Sequence, residues 1–371
     1  MRILYIANIP TPYKNDFYNE LGKSVELTVI FEAMGASNQG IRFNWNISQV
    51  KNYEAVFLKE GDIEEQKLNP AIFKYLKEKW DCIFVTNYSY RTEMAAIFYL
   101  KMHRIPYVME VDGGSIKKEN ILKKLIKKKL ISGAQLYFSP SKQTDEFLKF
   151  YGASKFKIRR NPFTSLCKKQ ILDEPISDKQ KKQIRNELGL VNSYANIVIG
   201  VGQLIPRKGW DCLLSIANKI DAEIIILGEG EFRETYEKQI REQKLNNVRL
   251  LGFMSNEVTT KYYRASDIFV LPTNYDVWGL VINEALANAL PVITTEGCTS
   301  GNELIKNDSN GYIIPINDEE QLLSKIQVLL SNKKKREKMA SNALMSIQSY
   351  TIENMAVEHL KYINSTNKGN I

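Results

Sequence analysis

Histidine is nearly missing from this chain: His103 and His359 are the only two among 371 residues. Neither has a nucleophile motif beside it, which sets aside Ser-His-Asp hydrolysis. The four cysteines (Cys82, Cys167, Cys212, Cys298) are widely scattered and form no CxxC. A structural zinc site and a disulfide framework are therefore not expected. Long apolar runs are missing too; none approaches the roughly 18–20 residues that a membrane span needs. The opening MRILYIANIPTPY carries one basic residue. Its apolar run of about seven residues is short for a signal peptide and reads as a first buried strand. A cytoplasmic protein is the expectation. Two nucleotide signatures are also absent, GxxxxGK[ST] and GxGxxG after a strand.

What is present is ordinary globular composition, 44% hydrophobic and 25% charged, with a net charge of +9. That excess favours polyanions or phosphate-bearing substrates as partners. A lysine-rich soluble surface is the plainer reading. The length suits two domains.

Short apolar runs alternate with amphipathic stretches in the first half: ILYIAN (3–8), ELTVIFE (26–32), AVFL (55–58), CIFVTN (82–87), PYVMEV (106–111) and QLYFSP (135–140). The alternation predicts a parallel sheet covered by helices. Residues 164–190 are polar and predict a connection with a lead-in helix. A second alternation follows: NIVIGVG (196–202), AEIIILGEG (222–230), VRLLGF (248–253), DIFVLPT (267–273) and PVITT (291–295). Only helices are expected over 318–365. The predicted architecture is α/β, two Rossmann-like doubly wound domains facing an interdomain cleft. Ligands of such sheets bind outside the carboxyl ends of the strands.

The richest segment is residues 274–303, NYDVWGLVINEALANALPVITTEGCTSGNE. Asp276 reads as a loop acid and Glu284 as lying one turn into a helix. Both carboxylates, with the N–H groups of a helix start, would point into one cleft. Carboxylates accept hydrogen bonds from sugar and ribose hydroxyls, and helix-start N–H groups attract phosphate, so the pattern suits a nucleotide sugar. Upstream, the loop GVGQLIPRKGW (200–210) follows a strand and precedes a helix. Gly202 permits close backbone approach, and Arg207 and Lys208 place two cations there to neutralise a diphosphate leaving group. A basic surface turn is the alternative. Gly228-Glu229-Gly230 and Gly252-Phe253 end two neighbouring strands, where a base could stack or meet backbone groups; taken alone, each such pattern is more often a simple turn.

These signals in order (VGQLIPRKGWDCLL, IILGEGEFRE, VRLLGFMS, ASDIFVLPTNYDVWGLVINEALANALPVITT and GNELIKNDSNGYIIP) resemble family 4 of the retaining glycosyltransferases, with the GT-B fold. IANIPTPYKNDFYNEL, MEVDGG and SPSKQTDEFLKFYGASKFKI are similar more loosely. The resemblance implies an acceptor domain over 1–165 with a returning helix at about 350–371, and a nucleotide-sugar domain over 166–349. It implies that Glu284 binds the donor ribose. Asp276 would bind the transferred sugar, with N–H groups of Trp278, Gly279 and Leu280 helping and Val281 beside them in the donor site. Arg207 and Lys208 match the diphosphate pair. Asp276 stands where the family has Glu. The family's N-terminal histidine is replaced by a segment whose candidates are Asp112, followed by Gly113, and Glu110. Tyr13 and Lys14, read as loop residues after the first strand, are candidates for the acceptor or phosphate side. No metal and no cofactor are expected; the nucleotide sugar, UDP- or GDP-linked, is a substrate.

Residues 117–132, KKENILKKLIKKKLIS, hold seven lysines and one glutamate around the apolar stripe Ile121, Leu122, Leu125, Ile126, Leu130 and Ile131. Such a helix can lie on an anionic membrane, here the inner face of the cell membrane. Packing of the stripe on its own sheet is the alternative. The aromatic interleaving of a nucleic-acid surface is missing, and no nucleic-acid partner is expected. The implied acceptor is a glycan or a lipid-linked intermediate in capsule, lipopolysaccharide or similar envelope polysaccharide synthesis. A nucleotide-sugar epimerase or hydrolase of the same fold, and a non-catalytic nucleotide-sugar-binding protein, are the alternatives.

Overall fold

The computed structural model describes residues 1–35, 37–38, 41–42, 50–64, 67–190 and 194–366. The chain divides into two compact units. One comprises Met1–Ser165 with Tyr350–Ile371, the other Leu166–Ser349.

The first unit is built on seven strands: β1 (Arg2–Ala7), β2 (Glu26–Phe31), β3 (Glu54–Phe57), β4 (Cys82–Val85), β5 (Val108–Glu110), β6 (Leu136–Ser139) and β7 (Ile158–Arg160). Their order is 3-2-1-4-5-6-7, all parallel. The second unit has six: β8 (Ile197–Val201), β9 (Glu223–Leu227), β10 (Val248–Gly252), β11 (Ile268–Leu271), β12 (Val292–Thr295) and β13 (Gly311–Ile314). They run 10-9-8-11-12-13, again all parallel. In each sheet the order reverses beside the first strand, the switch point at which doubly wound sheets bind ligands. The central strands are buried along their length, as in EIIIL of β9 and IFVL of β11. Continuous Val/Ile/Leu runs suit a parallel sheet covered on both faces.

Five helices matter below: α1 (Pro12–Leu21), α2 (Ile121–Ile131), α3 (Asn256–Ala265), α4 (Leu280–Ala287) and α5 (Ile352–Thr366). Their starts follow from local chemistry. Asn120 accepts the Lys123 amide at 2.7 Å ahead of α2, and Ser255 the Val258 amide at 3.4 Å ahead of α3. The predicted returning helix is α5; residues 367–371 of that expectation lie outside the described residues. Within the first unit α5 packs on α1, and His359 stacks on Phe138 with ring centroids 4.1 Å apart.

Two strands of these parallel sheets escape the sequence reading, β7 and β13. Both are edge strands, and β7 is only three residues long, Ile-Arg-Arg, with both arginines exposed. No apolar run marks it. The basic helix also differs from one of the two expectations. Only Leu130 and Ile131 of its stripe are buried. Ile121, Leu122, Leu125 and Ile126 are 78%, 69%, 57% and 41% exposed, so four of the six stripe residues do not pack on the sheet.

Candidate active site

The second unit gathers its candidate residues where β8 and β11 lie side by side. The loop after β8 closes in a single turn, Pro206–Lys208, ended by Gly209 at φ 66°. A Cβ there would sit 2.1 Å from the Pro272 carbonyl oxygen, so this close crossing of two loops requires glycine. The crossing is sewn by the Asn274 amide and the Thr273 hydroxyl, which donate to the Arg207 carbonyl at 2.8 and 3.0 Å. Arg207 donates to the Tyr275 carbonyl at 2.6 Å and stands 3.3 Å from Asp276 Oδ1. Lys208 Nζ bonds the other carboxylate oxygen, Oδ2. Lys208 and Asp276 are 7% and 8% exposed. Asp276 is thus no solvated loop acid: it bridges two cations in a place where little water screens them.

The residues around Asp276 fix its position. Its amide donates to the Gly297 carbonyl at 3.0 Å, and its own carbonyl accepts from the Thr299 hydroxyl at 3.1 Å. Ser300 donates from its amide to the Trp278 carbonyl at 2.9 Å, and from its hydroxyl to the Gly279 carbonyl at 3.0 Å. Gly279 has φ 97°, and a Cβ there would come within 2.9 Å of Cys298 Sγ. The Trp278 ring is buried, its indole N–H donating to Asn283 Oδ1 at 2.9 Å. This locks the turn to α4, whose first N–H groups, those of Leu280 and Val281 among them, have no acceptor within the helix. Both residues are half-buried.

Glu284 is the fifth residue of α4. Its Oε2 accepts from the Tyr263 hydroxyl of α3 at 3.0 Å. Burial, and then the Glu284 charge, push the Tyr263 phenol well above its ordinary pKa, so it stays a donor. Sequence reasoning missed Tyr263, Thr299 and Ser300. Thr299 and Ser300 lie inside the segment already singled out. Tyr263 carries no local signal, because its partner is 21 positions away.

Gly202, Gly228 and Gly252 sit where β8, β9 and β10 end. The Gly228 amide donates to the Gly252 carbonyl at 2.8 Å, and the Leu204 amide to the Glu229 carbonyl at 2.9 Å. Phe253, next along, is 75% exposed. The three strand ends therefore share one edge with an aromatic ring open to stacking.

In the first unit Tyr13 and Lys14 are not loop residues but lie in the first turn of α1, which Pro12 opens. Both reach Asp112, in the segment after β5 that continues into Gly113. The Tyr13 hydroxyl donates to Asp112 Oδ2 at 3.2 Å, and Lys14 Nζ lies 3.1 Å from the same oxygen. Burial alone would lower the Lys14 ammonium, but Asp112 beside it holds it above its ordinary pKa. Glu110 separates from this group and needs correction as an acceptor-side candidate. It is 4% exposed and turned inward, accepting from Asn161 Nδ2 at 3.4 Å and facing His359 Nε2 at 3.3 Å. Glu110 is the last residue of β5 while Asp112 lies two positions past its end, so the same-face rule for residues i and i+2 of a strand does not carry over to this pair.

Residues 180–345 match the family described as glycosyl transferases group 1. The alpha-D-kanosaminyltransferase of Streptomyces kanamyceticus is 27% identical over 173 residues, 45% of this chain and 44% of that protein. The N-acetylgalactosamine-N,N'-diacetylbacillosaminyl-diphospho-undecaprenol 4-alpha-N-acetylgalactosaminyltransferase of Campylobacter jejuni is 25% identical over 169 residues, 45% of this chain and 46% of that protein. The chain thus spans less than half the length of these curated relatives. Among solved structures, Anabaena HepE in complex with UDP superposes with TM-score 0.79 at 17% identity, over 98% of this chain and 100% of that one. That likeness gives the fold, GT-B with two Rossmann-like domains. Over residues 180–345, a little under half of its length, this chain is similar to glycosyl transferases group 1.

Proposed function

We propose that this protein moves a sugar from a nucleotide-sugar donor, UDP- or GDP-linked, to an acceptor hydroxyl with retention at the anomeric carbon. The observation that carries the reading is the Arg207–Asp276–Lys208 cluster at the β8/β11 switch point, next to the start of α4. Asp276 neutralises the two cations in the donor-free protein. A donor diphosphate is the stronger anion and takes over Arg207 and Lys208, which releases the Asp276 carboxylate toward a sugar hydroxyl. Glu284, steadied by Tyr263, accepts from the ribose hydroxyls. Phe253 offers a face to the base. The acceptor hydroxyl attacks on the face the diphosphate leaves, and the departing phosphate oxygen takes its proton. Arg207, Lys208 and the α4 N–H groups stabilise the charge that develops. Since these groups supply the neutralisation, turnover is expected to persist in a metal chelator.

The test is a melting-temperature panel of UDP, GDP and ADP with their common sugars, without metal. A ligand at about 100 times its Kd adds roughly 2.7 kcal/mol of stability. One base is expected to raise the melting point, and Arg207→Ala and Glu284→Ala to abolish the rise. If no nucleotide shifts a well-folded sample, the donor site is wrong, and the transferase and nucleotide-sugar-binding readings fall together.

On the acceptor side, Tyr13, Lys14 and Asp112 form the polar group that would meet an incoming hydroxyl or phosphate. The four exposed apolar residues of α2, set among lysines, favour an anionic membrane as the place of work and a lipid-linked glycan as acceptor. No helix among the described residues is long and apolar enough to cross a membrane, so this contact is peripheral. Leu122→Asp with Leu125→Asp should cut sedimentation with vesicles containing anionic lipid by roughly tenfold or more. The melting temperature should hold, because both side chains are already in water. Unchanged sedimentation would remove the membrane from the proposal.

A further inference from the structure

A second recess lies wholly within the first unit, apart from the Asp112 group. It runs along β6 and the edge strand β7 beneath the last turns of α5, and it has a volume of about 730 Å³. Its apolar wall is Leu136, Phe138, Phe156 and Tyr362. Phe156 is 75% exposed, in the short segment just before β7. The Tyr362 hydroxyl is buried and has no hydrogen-bond partner among the described residues.

The charge around this wall is one-sided. Lys157, Arg159, Arg160 and Lys361 line it, against a single acid, Glu358. Two of the cations are already engaged, Arg160 with Asp145 at 3.3 Å and Lys361 with Glu358 at 2.6 Å. Lys157 and Arg159 have no acidic partner among the described residues. The Arg159 guanidinium donates only to main-chain carbonyls, those of Phe156 at 2.9 Å and Ile158 at 3.2 Å. An aromatic wall beside unneutralised cations, in a recess of this size, fits a ligand with an apolar body and an anionic head.

We propose that this recess holds the phosphate head and first chain carbons of an anionic phospholipid drawn from the bilayer. The phosphate meets Lys157 and Arg159, and the chain lies along Phe156, Phe138 and Leu136. A lipid-linked substrate is the less suitable occupant. The recess starts where β6 and β7 begin, whereas Asp112 lies just past the carboxyl end of β5. The choice of a bilayer lipid rests on the membrane reading of α2; the anionic-amphiphile chemistry does not.

Calorimetric titration of the full chain with soluble short-chain probes tests this. Dihexanoyl phosphatidic acid should bind at least tenfold more tightly than dihexanoyl phosphatidylcholine, inorganic phosphate or geranyl phosphate. Arg159→Glu with Lys157→Glu, both exposed positions, should weaken phosphatidic acid tenfold or more, and Phe156→Asp should weaken it similarly. The Leu122→Asp, Leu125→Asp chain should bind it as the parent does, even if vesicle sedimentation is lost. Retained affinity in the recess variants overturns the site, as does loss in the α2 variant. Inorganic phosphate binding equally well would reduce the recess to an anion site. Tighter geranyl phosphate would overturn the bilayer source. If α2 proves not to touch membranes while phosphatidic acid still binds here, the membrane reading fails and the recess stands.

Discussion

Asp276→Ala should lose transfer activity by about 10²–10³-fold in kcat/KM while tightening the binding of a bare nucleoside diphosphate. The two effects have opposite signs because the carboxylate has two partners in turn. In the donor-free protein it occupies Lys208 and stands 3.3 Å from Arg207. Removing it frees both cations for a diphosphate, so a ligand without a sugar gains. A donor whose sugar must be held for reaction loses the group that holds it. Stability should fall as well. Lys208 is 7% exposed, and leaving such a charge unpaired costs roughly 3 kcal/mol or more. In a unit of this size that is a drop of about 6–12 °C in melting temperature. Arg207 is better solvated and adds little to this loss. Adding Lys208→Met to Asp276→Ala should return most of the stability and none of the turnover, which separates folding from chemistry. If diphosphate affinity falls in step with activity, Asp276 does not compete with the donor for the cations, and the exchange of partners is wrong.

This pair also shows where sequence reading stops. Arg207 and Lys208 are adjacent, and Asp276 and Glu284 sit in one short motif, so their residue types were legible. That Lys208 and Asp276 bond each other was not, since 68 positions separate them and nothing in local spacing encodes the contact. The central strands were legible because a strand buried on both faces must be a continuous apolar run. An edge strand is under no such demand, and Ile158–Arg160 shows the result: two of its three side chains are exposed cations. The stripe of α2 was legible as a stripe, but periodicity does not say whether an apolar face meets a sheet or water. The structure divides it between the two, with Leu130 and Ile131 inward and the four residues before them outward.

Glu110 and His359, 249 positions apart, are the extreme case, and their proton arrangement makes a sharp prediction. His359 is fully buried, packed on Phe138 and beside Phe17 at 4.8 Å. Its Nδ1 lies 2.8 Å from the Met355 carbonyl. A carbonyl only accepts, so Nδ1 carries a hydrogen. Nε2 therefore either donates to an ionised Glu110 or accepts from a protonated one; in both cases the pair holds a single proton between them. Glutamine can reproduce the second arrangement. Its oxygen can replace Glu110 Oε1 as the acceptor of Asn161, and its amide N–H can donate to Nε2 of a neutral imidazole. Glu110→Gln should accordingly stay within about 1 kcal/mol of the parent. Glu110→Ala leaves Asn161 and His359 without that partner beneath α5 and should cost roughly 3 kcal/mol, about 6–12 °C in melting temperature. Neither change touches the proposed donor site, so kcat/KM measured well below the melting temperature should be nearly unaltered. If the glutamine variant is as damaged as the alanine one, the pair is an imidazolium–carboxylate ion pair whose charge, rather than its hydrogen bonds, fastens the returning helix to the first sheet.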